Sequence, residues 1–330
     1  MFQNLPASER SVSLTEGAGI GTPFERMSAK AATVEEVAQR AAPSVSEYAA
    51  TYIELAKPRV LTMVLITTLA GFYLGSGEQF GFVMALNLII GTALAAGGTL
   101  ALNEYAERDT DARMERTRHR PLPSGRLRPI DALIFGVVTA VGGILYLWAK
   151  VNPLSAIVTG TVAALYLGVY TPMKRLTWLC QVIGAVPGAL PPVIGWAAAR
   201  NGLSGEPLIL FAIMFLWQLP HSLSIARLYQ RDYARAGIRM LPEPGRYGDP
   251  ANLLTIVAAV ALLLVGTLPA LMRFTGLLYV PVAVVLGAVM LFHCMRLMQG
   301  GPASTAAQRV MKISLVYLPV VLLAMVLDKV

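Results

Sequence analysis

Long stretches free of Asp, Glu, Lys and Arg divide the 330-residue chain, at 60–77, 79–103, 132–149, 151–173, 176–199, 207–226, 250–272, 274–295 and 313–327. A helix rises about 1.5 Å per residue, so about 20 apolar residues cross a hydrocarbon core of about 30 Å. Helices of soluble proteins average only about 12 residues. The pattern therefore predicts an all-α polytopic membrane protein with nine transmembrane helices. Residues 1–45 are polar, lack an apolar signal-like run and hold five glutamates, a poor match to secretory and organellar targeting segments. The expected organisation is a flexible cytoplasmic tail over 1–50 and a nine-helix membrane domain over 51–330.

Composition agrees: 55% of residues are hydrophobic and 14% charged, against roughly a quarter charged in soluble domains. The net charge of +8 would suit a nucleic-acid binder, but its placement points elsewhere. The connections after spans 2, 4, 6 and 8 hold 7, 2, 5 and 3 Lys or Arg, whereas those after spans 1, 3, 5 and 7 hold 0, 1, 1 and 1. By the positive-inside rule the even-numbered loops and the N-terminus are cytoplasmic and the C-terminus lies outside. The basic excess reads as topology in a lipid bilayer, with no nucleic-acid partner. Cys180 and Cys294 fall within spans and read as buried thiols.

Two cytoplasmic connections are long, 104–131 and 227–249. In the first, Asn103, Glu107 and Asp111 stand four residues apart, so each drifts only about 40° from the last on one helix face. Two carboxylates and an amide oxygen suit Mg²⁺, which bridges protein carboxylates to substrate phosphates. Arg116 and Arg120 follow, and guanidinium groups pair with phosphate oxygens. Spacing alone leaves two readings, a metal–diphosphate clamp or a solvated interfacial loop with incidental ion pairs. Asn103 favours the clamp, because it sits inside a charge-free block where polar groups are costly.

Near the second connection Trp217, Gln218, His221, Tyr229 and Asp232 share a broad stripe if span 6 continues as one helix. Asp232 would then return to within about 20° of His221, about 16 Å further along the axis. The deep group reads either as a ligand pocket or as a polar bond between two helices. Lys174 and Arg175 add positive charge at the span 4 exit. Span 5 holds Pro187, Pro191 and Pro192 with Gly184, Gly188 and Gly195, which predicts a broken or closely packed helix, tolerated beside a cavity.

Asn103-x3-Glu107-x3-Asp111, followed by Arg116-Thr117-x2-Arg120-Pro121-Leu122-Pro123-Ser124-Gly125, resembles the first acidic motif of the intramembrane aromatic prenyltransferase superfamily. Within it, several further blocks resemble the protoheme IX farnesyltransferase (haem O synthase) family: Tyr170-Thr-Pro-x-Lys174-Arg175, the Gly-Ala-Leu-Pro-Pro-x-Ile-Gly-Trp196 run, Trp217-Gln-x-Pro-His221 and Asp232-Tyr-x2-Ala-Gly237-Ile-x-Met-Leu-Pro242. Lys57-Pro58-Arg59 is similar to that family's opening motif, and the resemblance spans about 50–325. It implies nine helices around a central cavity with cytoplasmic capping loops. The implied reaction is transfer of a farnesyl group from farnesyl diphosphate to a vinyl group of haem B in a bacterial inner membrane. By the same resemblance Asn103, Glu107, Asp111 and Asp232 would carry Mg²⁺, and Arg116, Arg120, Lys174 and Arg175 would hold the diphosphate. Tyr229 would face the developing allyl cation, and His221 and Trp217 would stand on the porphyrin side. The implied protein partner is a haem A synthase or an oxidase assembly factor. Glu107 stands where the superfamily more often has Asp, and Asp232 is a lone acid where related enzymes have several. A prenyltransferase acting on a quinone precursor such as 4-hydroxybenzoate would share the clamp but not the Trp-Gln-x-Pro-His and Ala-Gly-Ile-x-Met-Leu-Pro blocks. A transporter would place its polar groups at the midplane, whereas here they gather at one end.

Overall fold

The structure, a computed structural model, describes residues 44–77, 80–243, 249–297 and 303–330. The chain divides into two units, Met1–Tyr48 and Ala49–Val330, and the second holds the membrane helices. The expected N-terminal tail falls, up to residue 43, outside the described residues. The described residues are helical, with one isolated bridge between Thr275 and Lys329 and no strands.

Nine helical segments among the described residues are long and apolar enough to cross a membrane, one for each charge-free block. A short helix α1 (Val45–Leu55) precedes α2 (Pro58–Gly75), α3 (Phe82–Asp111) and α4 (Pro129–Lys150). The fourth span is α5 (Pro153–Ala164), continued by a widened π turn over Leu165–Tyr170 to Met173. The fifth is split into α6 (Cys180–Ala189) and α7 (Pro191–Arg200). Then come α8 (Glu206–Leu228), the short α9 (Gln230–Arg235), α10 (Pro250–Val265), α11 (Tyr279–Arg296) and α12 (Ala303–Leu327). Pro58, Pro129, Pro153, Pro191 and Pro250 all begin helices. There the missing N–H costs nothing and the fixed φ suits the first turn.

The split at Leu190 fits the proline pattern, since Pro191 and Pro192 bring no N–H groups to continue α6. The ninth span starts ten residues before its charge-free block, because Arg309 and Lys312 lie within α12. One expectation fails. Span 6 does not run on to Asp232: α8 ends at Leu228, and Tyr229 leaves helical geometry at φ −109°, ψ 22° before α9 begins. The single stripe joining His221 to Asp232 is therefore broken at Tyr229.

Small residues let the helices approach closely, as is usual where lipid offers no hydrophobic drive between helices. A Cβ on Gly98 of α3 would overlap the Ala140 backbone nitrogen of α4, and one on Gly195 of α7 would overlap the Thr68 carbonyl of α2. The outer faces carry large apolar side chains, such as Ile134, Val138, Val141 and Leu145 along one side of α4. That exposure would be an aggregation hazard in water and is the ordinary surface of a helix in lipid. The protein is a multi-span membrane protein.

Candidate active site

Helix α3 carries its three oxygen-bearing side chains to the end of the bundle where residues 112–128 fold back against it. Asp111 is its last residue. The chain then turns tightly, with Thr117 Oγ1 donating to the Asp111 carbonyl at 2.9 Å and the Arg120 amide to the Thr117 carbonyl at 3.0 Å. Gly125 turns at φ 73°, a left-handed conformation that suits glycine. Arg126 fastens the segment to α1 by a two-pronged pair with Glu54, at 2.7 and 2.9 Å. Arg116 and Arg120 are thereby brought over the end of α3.

Between these elements lies a pocket of about 190 Å³, lined among others by Lys57, Asn103, Glu107, Asp111, Arg116, Arg120, Tyr166, Tyr170 and Lys174. Each oxygen group meets a cation. Asn103 Oδ1 accepts from Lys57 Nζ at 2.9 Å. Glu107 pairs with Lys174 and Asp111 with Arg120, both at 2.6 Å. Asp111 is 1% exposed, and the pair with Arg120 compensates that burial, since an unpaired buried carboxylate is strongly unfavourable. Four cations face two carboxylates in the lining, and the excess of positive charge makes the pocket a receptor for a polyanion.

Local sequence explains these placements. Pro172 brings no N–H to the turn after Tyr170, and the helix widens there into the π turn. The widened turn stacks Tyr166 against Tyr170 at 5.2 Å and sets Lys174 Nζ 4.4 Å above the Tyr170 ring. Thr171 Oγ1 accepts from Asn103 Nδ2 at 3.0 Å, which fixes the amide with its oxygen toward Lys57. Lys57 caps α2 in a left-handed conformation, φ 51° and ψ 68°, a strain of about 1 kcal/mol or more that the surroundings must hold. Burial, with the positive charge of Arg120 adding to it, pushes the Lys57 ammonium down to about 8.

The pocket therefore gathers Asn103, Glu107, Asp111, Arg116, Arg120 and Lys174 of the expected residues. Tyr229 stands at its rim, with the Arg116 guanidinium 5.0 Å above its ring. Arg116 also reaches Tyr233 Oη at 3.3 Å. Asp232 is not in the lining; its carboxylate faces Arg235 at 3.5 Å. Arg175 is exposed outside the lining. Trp217 and His221 are likewise not in the lining and are bonded to α12. Trp217 Nε1 donates to the Ser314 carbonyl at 2.8 Å, His221 Nδ1 meets Ser314 Oγ at 2.7 Å, and the two rings stack at 5.2 Å.

Lys57 is a lining residue of the pocket that the sequence does not single out. Its signal was a lysine directly before a helix-starting proline, within the opening motif, but its partner Asn103 lies 46 residues away. Glu104 is also missed. It is 1% exposed and accepts from the Leu122 amide at 3.4 Å, tying the arginine-bearing loop to α3.

An apolar cavity of about 130 Å³ adjoins the polar pocket and shares Val60, Leu100 and Tyr166 with it. It runs between α2, α3, α5, α6 and α7, past Thr92, Ala95, Gly188 and Ile194. A charged head site thus opens on a greasy slot. The oxygen donors are hard, as Mg²⁺ requires. No three Asp, Glu, His or Cys side chains cluster as a metal site among the described residues. A metal here would complete its shell with phosphate oxygens and water, its usual habit beside one or two carboxylates. In that sense the donor set fits.

The chain belongs to the UbiA prenyltransferase family, which matches residues 64–316. It is a membrane prenyltransferase. It is 43% identical over 289 residues to a protoheme IX farnesyltransferase of Solibacter usitatus, covering 84% of this chain and 98% of that one. It is 38% identical over 296 residues to a protoheme IX farnesyltransferase of Koribacter versatilis, covering 87% and 96%. The fold is similar to the structure of a UbiA homologue from Archaeoglobus fulgidus bound to GPP and Mg²⁺, with a TM-score of 0.62 at 14% identity, covering 83% of this chain and 99% of that one. A structure of digeranylgeranylglyceryl phosphate synthase gives 0.71 at 18% identity, covering 84% and 97%.

Proposed function

We propose that the protein transfers the farnesyl group of farnesyl diphosphate to a vinyl group of haem B, giving haem O, with Mg²⁺ bound at Asn103, Glu107 and Asp111. The observation that carries this reading is the positively charged pocket opening on an apolar slot, which matches the head and tail of an allylic diphosphate. Relatives named protoheme IX farnesyltransferase, 38–43% identical over most of their length, support haem as the acceptor. When bound, the metal supplies charge neutralisation for the diphosphate leaving group.

The residues of the chain would act as follows. Lys57, Arg116, Arg120 and Lys174 hold the diphosphate and stabilise the charge that grows on it as the allylic C–O bond breaks, with both electrons leaving on oxygen. Donors fixed beforehand need no reorganisation at that moment. Glu107 and Asp111 hold Lys174 and Arg120 until substrate and metal arrive, then share those cations with the phosphate oxygens. The faces of Tyr166 and Tyr170, and of Tyr229 and Tyr233 at the rim, attract the allyl cation. The vinyl terminus attacks the farnesyl C1, and water captures the new cation beside the porphyrin. Loss of a proton leaves a hydroxyethylfarnesyl chain. Asp232 is one residue from Tyr233 of the lining, where it would serve the second side of the diphosphate. Arg175 would add its charge from outside.

The clustering of Lys and Arg after even-numbered spans supports placing this site at the cytoplasmic face of a bacterial inner membrane. The N-terminal tail would then be cytoplasmic, residues 51–330 the catalytic unit and the C-terminus outside. A downstream haem A synthase or oxidase assembly protein would receive the product. Labelled farnesyl diphosphate given to the reconstituted protein, with haem B and 4-hydroxybenzoate competing, tests the assignment. Label should pass to the porphyrin; label on the benzoate or on neither would overturn it.

A further inference from the structure

A second cleft, of about 380 Å³, lies against the diphosphate pocket at the same end of the bundle. Tyr233, Ile238 and Met240 line both, so the two spaces share one wall. The cleft owes its form to the end of α9. Gly237 turns at φ 71°, with the Ile238 amide donating to the Tyr233 carbonyl at 2.9 Å and the Gly237 amide to the Ala234 carbonyl at 3.1 Å. This glycine-terminated helix end throws residues 238–241 across the loop after the fourth span. There the Arg239 amide donates to the Lys174 carbonyl at 2.9 Å, and Gln181 Nε2 to the Met240 carbonyl at 3.3 Å. The floor is apolar, from Ala226, Ile238, Met240 and Leu241. Arg239 supplies the positive charge of the lining; its side chain is exposed and makes no ion pair among the described residues.

We infer that this cleft receives the propionate-bearing edge of the porphyrin, with Arg239 taking one propionate. The inference rests on the proposed haem reading. Haem carries its ionised carboxylates on one edge and its vinyl groups on the opposite edge. Burying a carboxylate at the bilayer centre costs about 2.5–3.5 kcal/mol or more, so the propionate edge stays at the headgroup level. The diphosphate pocket is at that level too, on the far side of Tyr233, Ile238 and Met240. A macrocycle lying over the apolar floor with its carboxylates toward Arg239 turns its vinyl edge toward that shared wall and the allylic carbon. The Trp217–His221 pair, closed onto Ser314, is deeper in α8 and offers no cation for a carboxylate.

The test compares haem B with its dimethyl ester on wild type, Arg239→Gln and Arg239→Lys in nanodiscs. Two readouts are taken: equilibrium Soret titration and the KM for porphyrin beside the KM for farnesyl diphosphate. Wild type should prefer the free acid about three- to tenfold, as one charge-assisted pair at an exposed site gives. Arg239→Gln should lose most of that preference, Arg239→Lys should restore part of it, and the farnesyl diphosphate KM should hold. A wild type that farnesylates haem while Arg239→Gln keeps the full preference overturns the cleft and leaves the transfer reading standing. A wild type that turns over neither porphyrin refutes the transfer reading. The titration, which needs no turnover, then decides the cleft by whether the preference follows Arg239.

Discussion

Replacing Arg120 by Gln separates what the arginine does for the fold from what it does for the reaction. In the resting protein its guanidinium neutralises Asp111, which is 1% exposed, at 2.6 Å. Removing one partner of a buried pair costs about 3–5 kcal/mol. Arg120 is itself a quarter exposed, so water screens the stranded carboxylate, and a loss of about 1–3 kcal/mol is expected. In the proposed reaction the same guanidinium would meet the leaving diphosphate, and loss of one such preorganised donor lowers kcat about 10²–10³-fold. The double variant Asp111→Asn/Arg120→Gln strands no charge. It should recover most of the thermal stability of wild type and none of the activity. Thermal unfolding in nanodiscs and product mass at saturating substrates measure the two effects. Activity within threefold of wild type in Arg120→Gln, or recovery of activity along with stability in the double variant, would refute the clamp.

Other consequences are equally open to test. Lys57→Met removes the ammonium bonded to Asn103 Oδ1, and the KM for the diphosphate should rise about tenfold, as one lost charge-assisted bond implies; an unchanged KM would exclude Lys57 from the head site. Gly195→Ala sets a methyl against the Thr68 carbonyl and should cost about 1–3 kcal/mol by forcing α7 off α2, with unaltered unfolding contradicting that contact. Ser314→Ala deletes the hydroxyl beside His221 Nδ1 and should lower stability by about 1 kcal/mol with transfer within twofold of wild type. Loss of transfer in that variant would show that the cluster serves catalysis and not the joining of α8 to α12.

Much of the pocket lining was legible because it depends on one helix period. Asn103, Glu107 and Asp111 fall on one face as soon as α3 runs past its charge-free block, and the structure shows it doing so to Asp111. The broken fifth span was legible for the same local reason, since Pro191 and Pro192 stop any helix. The break at Tyr229 was not: residues 228–235 contain neither Gly nor Pro, and only the docking of 238–241 on the Lys174 loop requires α9 to turn away. Lys57 was missed because its partner is set by tertiary packing. His221 and Trp217 could be read either way from spacing, and Ser314, more than 90 residues distant, ties both to α12.

The central claim is that the pocket at the end of α3 drives farnesyl transfer to haem. It is tested most directly by extracting haem from membranes containing wild type or Asp111→Asn, after supply of farnesyl diphosphate and Mg²⁺, and reading the porphyrin mass. Wild type should convert haem B to a species heavier by one farnesyl and one hydroxyl group, and Asp111→Asn should leave it unchanged. Unmodified haem B from wild-type membranes, or equal conversion in both, would contradict the account.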